Sequence, residues 1–331
     1  MHSPKNTPAV LLIALGILLG ALLSSATIAQ EAEERPRNRF DHDILKETFG
    51  YDESTPATVE FEEMFQGCPE RDCIPSIEDP EYVEADEASA FLGDDELVIA
   101  VDHNGDKRAW PIRVLDFHEI VNDTIGGDPI AVTWCPLCGS GLAFMRKVEG
   151  ETVEFGVSGL LHDSDLVMYD RKTNSLWQQI TGEAVMGPAM GQTLEEVPAT
   201  ITAWKNWRSA HPETRVMAPP SDSDMDYGDS RRYAAYEESD RLAFPAARRD
   251  LSIHPKTVVH GFTIDGMHLA VTESALEENA NIETELGNRS ITISRHDDGR
   301  VTAVDDHGRS HSAVRSFWFA WFNFHPDTER I

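Results

Sequence analysis

Ala131-Val-Thr-Trp-Cys-Pro-Leu-Cys-Gly-Ser-Gly-Leu-Ala-Phe144 decides how this chain is read. It starts as an apolar run of β type and runs into a tight, glycine-rich turn that carries two thiols, Cys135 and Cys138. Trp-Cys-x-x-Cys echoes the active site of a thioredoxin, where a helix N-terminus activates the first thiol. Here the second Cys is followed by Gly139-Ser-Gly141, which are poor helix formers, and no βαβ pattern surrounds the pair. The reading is therefore a strand that delivers thiols to a turn, in a mainly β chain with a few short helices, a β-rich α+β fold.

The neighbouring segments agree. Leu97-Val-Ile-Ala-Val101, Asn104-Gly105 and Arg108-Ala-Trp-Pro-Ile112 spell a hairpin with a type I′ turn. Val114 to Val121 is expected to form a short helix carrying His118 and Glu119, and Pro129 to Trp134 is the strand that leads to Cys135. Beyond the thiols, Asp165 to Asp170 and Ser175 to Gln179 read as a second hairpin.

The chain also resembles itself. Leu97 to Ala109 matches Val258 to Ala270, each an apolar strand, an Asn-Gly or Asp-Gly turn and a return. Trp204-x-x-Trp207-x-x-x-His211-Pro212-Glu-Thr214 matches Trp318-x-x-Trp321-x-x-x-His325-Pro326-Asp-Thr328 at identical spacing. The offsets are 161 and 114 residues, so a second copy would be 47 residues shorter. Two modules related by internal duplication are expected, the second degenerate. The boundaries follow: an acidic leader with a local Cys loop at 30–73, module one at 74–218, a polar linker or excursion at 219–256, and module two at 257–331. The shared Trp pair and His-Pro read as scaffold, with His211 and His325 ending a helix. Features of module one alone, Cys135, Cys138 and His118, are the functional candidates.

Composition narrows the function. The chain has 331 residues and a formal charge of -30, a surface that repels nucleic acid and anionic membrane. Lys5, the apolar run Ala9 to Leu23 and the small residues Ser24 to Ala29 form a Sec-type signal peptide, residues 1–29, so the mature protein is expected outside the cytoplasm, periplasmic or secreted. No integral membrane domain is expected beyond an uncleaved signal anchor. In that compartment Cys68 and Cys73 read as a loop-closing disulfide, with a four-thiolate metal site as the alternative.

Cys135 and Cys138 at this spacing grip one metal ion or close on each other. With His118 as preferred third ligand and His162, Met168 or Asp165 as fourth, copper or zinc is expected. The alternatives are a thiol–disulfide oxidoreductase with Cys135 as nucleophile and Cys138 as resolving thiol, and a non-catalytic binding module with a structural disulfide. Asp163, Asp165, Asp170 and Glu183 offer carboxylates for a general acid–base pair, but among 58 acidic residues surface placement is the expectation for any one of them, and Ser158 lies outside a full nucleophile elbow. No reaction is assigned; the partner is a metal or an unidentified small molecule.

Several motifs together resemble one family. Leu115-Asp-Phe-His-Glu-Ile-Val-Asn-Asp-Thr-Ile-Gly-Gly127, Val132-Thr-Trp-Cys-Pro-Leu-Cys-Gly139, Phe155-Gly-Val-Ser-Gly159 and Ser164-Asp-Leu-Val-Met-Tyr-Asp-Arg171 are similar to the bacterial and archaeal DUF3179 proteins. So are Ser175-Leu-Trp177, Gly182-Glu-Ala184 and Trp207 with His211-Pro212. The resemblance runs from about Ile74 to the C-terminus. It implies that His118 and the Cys135/Cys138 turn belong to the family pattern; it implies kinship and export, and no reaction.

Overall fold

A computed structural model describes residues 42–228 and 231–331. The expected signal peptide and the first part of the acidic leader lie outside the described residues. Among the described residues no helix is long and apolar enough to cross a membrane.

The chain is mainly β with short helices. Its first hairpin pairs Leu97–His103 with Asp106–Pro111, and both turn residues take the left-handed conformation that a type I′ turn requires, Asn104 at φ 53° and Gly105 at φ 80°. Ala199–Ala203 pairs with the outer side of Leu97–His103. The helix Trp204–Ala210 then carries the chain across, so that Arg215–Met217 returns parallel to Asp106–Pro111. The second half repeats this order. Val258–Ile264 pairs with Met267–Thr272, Val314–Phe317 flanks the first, the helix Trp318–Phe324 crosses, and Glu329–Arg330 returns parallel to the second.

The Trp-Trp-His-Pro segments share geometry in detail. Each helix ends at its His, with φ, ψ of -132°, 66° at His211 and -131°, 66° at His325. Trp207 Nε1 donates to Thr214 Oγ1 at 3.0 Å, and Trp321 Nε1 to Thr328 Oγ1 at 2.9 Å. A buried indole N–H needs an acceptor, and the Thr that follows the His-Pro turn provides it.

A second pair of sheets explains what sets the first half apart. Ile120–Ile125, Asp128–Cys135 and Ser140–Met145 form an antiparallel run, as do Asn281–Leu286, Arg289–Arg295 and Val301–Asp305. In the later run Ile291 and Ile293 point inward while Ser290 and Thr292 face water, the pattern of a sheet covered on one side. In the earlier run, Ser140–Met145 is buried at every position. Its second face is covered by a further sheet found only in the first half, in the order Met64–Gln66, Phe155–His162, Asp165–Asp170, Leu176–Gln178, Ala184–Met186. Phe144, Leu142, Ala131 and both thiols pack there against Phe155, Val157, Leu166, Met168 and Trp177. The thiols therefore sit between two sheets.

Two polar segments are more closely packed than their sequence suggests. The later part of the expected leader is ordered: Ile44, Leu45, Phe49, Phe61 and Met64 are buried against Tyr169 and Leu176, and Met64–Gln66 extends the added sheet. The expected polar excursion is not a bare linker either, because Tyr236, Leu242 and Ala246 pack against the cluster that holds the thiols. In both, few apolar anchors are spread among many acids, so no periodicity marks them. Nor does Val114 to Val121 form one helix. The helix is Ile112–Leu115, and the chain is already a strand at Ile120.

Cys68 and Cys73 form a disulfide, with Cα atoms 6.3 Å apart. The loop they close is docked by Asp72, whose carboxylate accepts from Tyr169 Oη at 2.6 Å and from both Arg171 terminal nitrogens at 2.8 and 3.0 Å. So short a ring restricts the unfolded chain modestly. Cys68→Ser/Cys73→Ser is expected to cost about 2 kcal/mol with the loop still docked; a loss near zero in chemical denaturation would show the bridge to be incidental.

Candidate metal centre

The site begins with a four-residue turn. Asp128–Cys135 and Ser140–Met145 pair antiparallel, with Cys135 opposite Ser140 as the closing pair. Cys138 N donates to Cys135 O at 3.2 Å, folding the turn so that both sulfurs enter the space between the sheets. Gly139 takes φ +60°, and a Cβ there would lie 2.8 Å from the Phe317 ring. Phe317 N donates to Cys138 O at 2.7 Å. A strand of the second half thus clamps the turn, and a side chain at Gly139 would break the clamp.

The third group comes from the added sheet. Phe155–His162 turns into Asp165–Asp170 through Asp163 and Ser164, at φ 54° and 65°. Consecutive left-handed non-glycine residues are uncommon, and here they aim Asp165 back toward the thiols. Cys135, Cys138 and Asp165 each place a ligand atom within 4.8 Å of the other two, and all three are buried.

Asp165 is held like a ligand. Its Oδ2 accepts from Gln178 Nε2 at 2.6 Å and from Ile180 N at 3.0 Å, while Oδ1 is buried without a hydrogen-bond partner. Gln178 Nε2 donates to Asp165, so the amide oxygen is left to accept from His162 Nδ1 at 2.7 Å. His162 thus stands behind the site and orients Asp165 through Gln178.

Burial dominates the electrostatics. It pushes the Cys135 thiol up and the Cys138 thiol well up from the ordinary cysteine value, and it raises Asp165 as well. Glu119 lies just beyond. Burial, with Asp116 and Asp165 adding negative charge, pushes its carboxyl up to about 8. Glu119 sits in a left-handed bend at φ 58°, fixed by its carbonyl accepting from Trp134 N at 2.7 Å, one residue before Cys135. Glu119 and Cys135 face one cavity of about 220 Å³ whose walls are otherwise mainly apolar, closed by Leu137, Leu166, Tyr233 and Phe244. Tyr233 and Phe244 belong to the excursion. Tyr236 Oη ties it to the turn by donating to Leu137 O at 3.0 Å, and Ser164 Oγ donates to Phe244 O at 2.6 Å.

The structure brings together Cys135, Cys138 and Asp165, with Met168 fully buried in the same cluster. It does not bring His118 to them. That ring contacts Pro75 O through Nδ1 at 2.8 Å and Tyr227 Oη through Nε2 at 2.6 Å. Both nitrogens are engaged away from the thiols, so Asp165 stands beside them where His118 was expected, and His162 reaches that group only through Gln178. Asp170 locks a turn, accepting from Thr173 N, Thr173 Oγ1 and Trp177 Nε1. Ser158 Oγ donates to Val167 O at a bulge. Glu119, Gln178 and Tyr233 were not singled out from sequence. Glu119 adjoins His118, but a helical reading gives no reason to prefer it, and nothing in Trp177-Gln-Gln179 distinguishes Gln178.

A family profile described as a protein of unknown function, DUF3179, matches residues 71–328. No curated protein and no solved structure matches the chain.

Proposed function

We infer that this chain, which belongs to the DUF3179 family, is an extracytoplasmic metal-binding protein that holds zinc or copper on Cys135, Cys138 and Asp165. The observation that carries the reading is the buried Asp165 carboxylate: one oxygen is held by Gln178 and Ile180, while the other meets no N–H or O–H donor and faces only the two thiols, which lie within 4.8 Å. A buried polar atom without a partner is costly unless something binds it. Three acidic groups this close cannot all ionise in an apolar interior, whereas a divalent cation would displace their protons and pay for the charge.

Two sulfurs and one oxygen suit zinc, which takes thiolate and carboxylate ligands together; copper(I) prefers an all-soft set, for which Met168 is the nearest supplement. Three protein ligands leave a coordination position for a water or small molecule, and the cavity shared by Cys135 and Glu119 adjoins it. Bound there, the ion would act as a Lewis acid. Export is supported by the N-terminal sequence pattern and by the Cys68–Cys73 disulfide.

Thiol–disulfide exchange is the less favoured reading. Both thiols are buried and shifted upward, so little thiolate is present near neutral pH. The test is elemental analysis of residues 30–331, purified without chelator, beside Cys135→Ser/Cys138→Ser. About one equivalent of zinc or copper, lost in the double variant, is expected. Absence of metal, even after reconstitution of the reduced protein, would overturn the reading.

A further inference from the structure

A second cavity, of about 560 Å³, shares Tyr233 with the cavity beside the thiols. Its wall includes Trp134, Phe317 and four arginines, Arg113, Arg231, Arg232 and Arg315. That is unusual for a chain with 28 basic and 58 acidic residues. The acids of the same wall have other partners. Asp94 pairs with Arg208 at 2.7 Å, Asp95 with Lys205 at 2.6 Å and Glu96 with Arg113 at 3.3 Å, and Asp116 accepts from Trp134 Nε1 at 2.8 Å.

Arg315 differs from its neighbours. Arg113 has Glu96, Arg231 has Glu238 at 3.6 Å, and Arg232 lies over the Phe117 ring at 4.3 Å. Arg315 is half-buried on Val314–Phe317. Its guanidinium makes one hydrogen bond among the described residues, a long one from Nη1 to Gly139 O at 3.4 Å, and no ion pair there. Burial holds its guanidinium below the ordinary arginine value, and the group stays charged. Glu237, exposed on the rim, and Glu273, itself held by His260 and Arg295, lend it negative charge without forming an ion pair with it. A desolvated guanidinium with most of its N–H fork unused matches a planar oxyanion, bound two-pronged. The aromatic wall beside it, Trp134, Phe317 and Tyr233, offers an apolar surface to whatever carries that oxyanion.

We propose that this cavity binds a small organic carboxylate, its anionic group on Arg315 and its apolar body against Trp134 and Phe317. The proposal is independent of the metal reading, because none of the three metal ligands contributes to it.

Titration of the full chain with benzoate, followed by Trp fluorescence and calorimetry with chelator present, tests it. Benzyl alcohol, the uncharged counterpart, and inorganic phosphate serve as comparisons. Saturable benzoate binding that weakens with salt is expected, with benzyl alcohol at least tenfold weaker. Arg315→Gln is expected to weaken benzoate at least tenfold and Arg315→Lys by less, since lysine keeps the charge without the fork. Should Arg315→Gln not fold, the lysine variant and the comparison with benzyl alcohol decide. Benzoate binding unchanged by either substitution, or no binding up to about 10 mM, would overturn the proposal. Phosphate bound as tightly as benzoate would overturn its organic half.

Discussion

Asp165→Asn is expected to change metal affinity and stability in opposite directions: a loss of metal affinity of about 100-fold or more, and a gain in stability of the metal-free protein of about 1–3 kcal/mol at pH 7. The stability gain follows from burial. The Asp165 carboxyl is raised above its ordinary value, so the folded state holds its proton more tightly than the unfolded chain does. Stability is then lost as pH rises from the unfolded carboxyl value toward the folded one, and at neutral pH the group works against folding. An amide has no charge to desolvate. Its oxygen can still accept from Gln178 Nε2 or Ile180 N, and its nitrogen can face the sulfurs where Oδ1 now lacks a partner. The affinity loss follows because an amide is a weaker, neutral ligand for a divalent ion. Thermal melts in chelator and competition against a chromophoric chelator read the two effects separately. A variant less stable than the parent and undiminished in metal affinity would make Asp165 an ordinary acceptor for Ile180 N. Conflict between stability and binding is the expected mark of a functional group in a core.

How far the sequence revealed this site depends on where each residue got its position. Local rules placed Asn104-Gly105 and Asp265-Gly266 in hairpin turns, ended two helices at His211 and His325, and closed the Cys68–Cys73 loop. The thiol turn was legible too, because Gly139-Ser-Gly141 excludes a following helix. Asp165 was only one of several ligand options. It reaches the thiols because the added sheet lies across the strand that carries them, and nothing among 58 acidic residues marks one whose burial depends on a distant hairpin. His118 looked stronger because it precedes the strand of Cys135. A left-handed residue at Glu119 turns the chain so that the carboxylate, not the imidazole, enters the thiol cavity. The closing wall, Tyr233 and Phe244, lies in a segment whose apolar residues are too sparse for a period to show.

Glu119→Gln is expected to flatten the pH dependence of stability in the metal-free protein. The folded carboxyl sits at about 8 against an ordinary 4.5, so in the folded state it keeps a proton that the unfolded chain releases. Stability is therefore greatest below pH 4.5 and falls as pH rises through the window to about 8, levelling beyond it. A shift of this size opposes folding by roughly 3 kcal/mol at pH 7 and by less than roughly 1 kcal/mol at pH 5. Glutamine removes the term, so the variant and the parent should nearly coincide at pH 5 and diverge by pH 7, the variant being the more stable. The groups that set the shift come from separate elements: Asp116 before the bend and Asp165 from the added sheet repel the charge, while Cys135 and Tyr233 share the cavity. No cation is among the causes of the shift. That gives the experiment a second arm. An ion on Cys135, Cys138 and Asp165 would favour the Glu119 carboxylate and pull its pKa down, so zinc should flatten the parent's curve and leave the variant's shape nearly unchanged. Parallel curves for the two proteins without metal would show Glu119 to be ionised and solvated, and would remove the protonated carboxyl from the cavity beside the thiols.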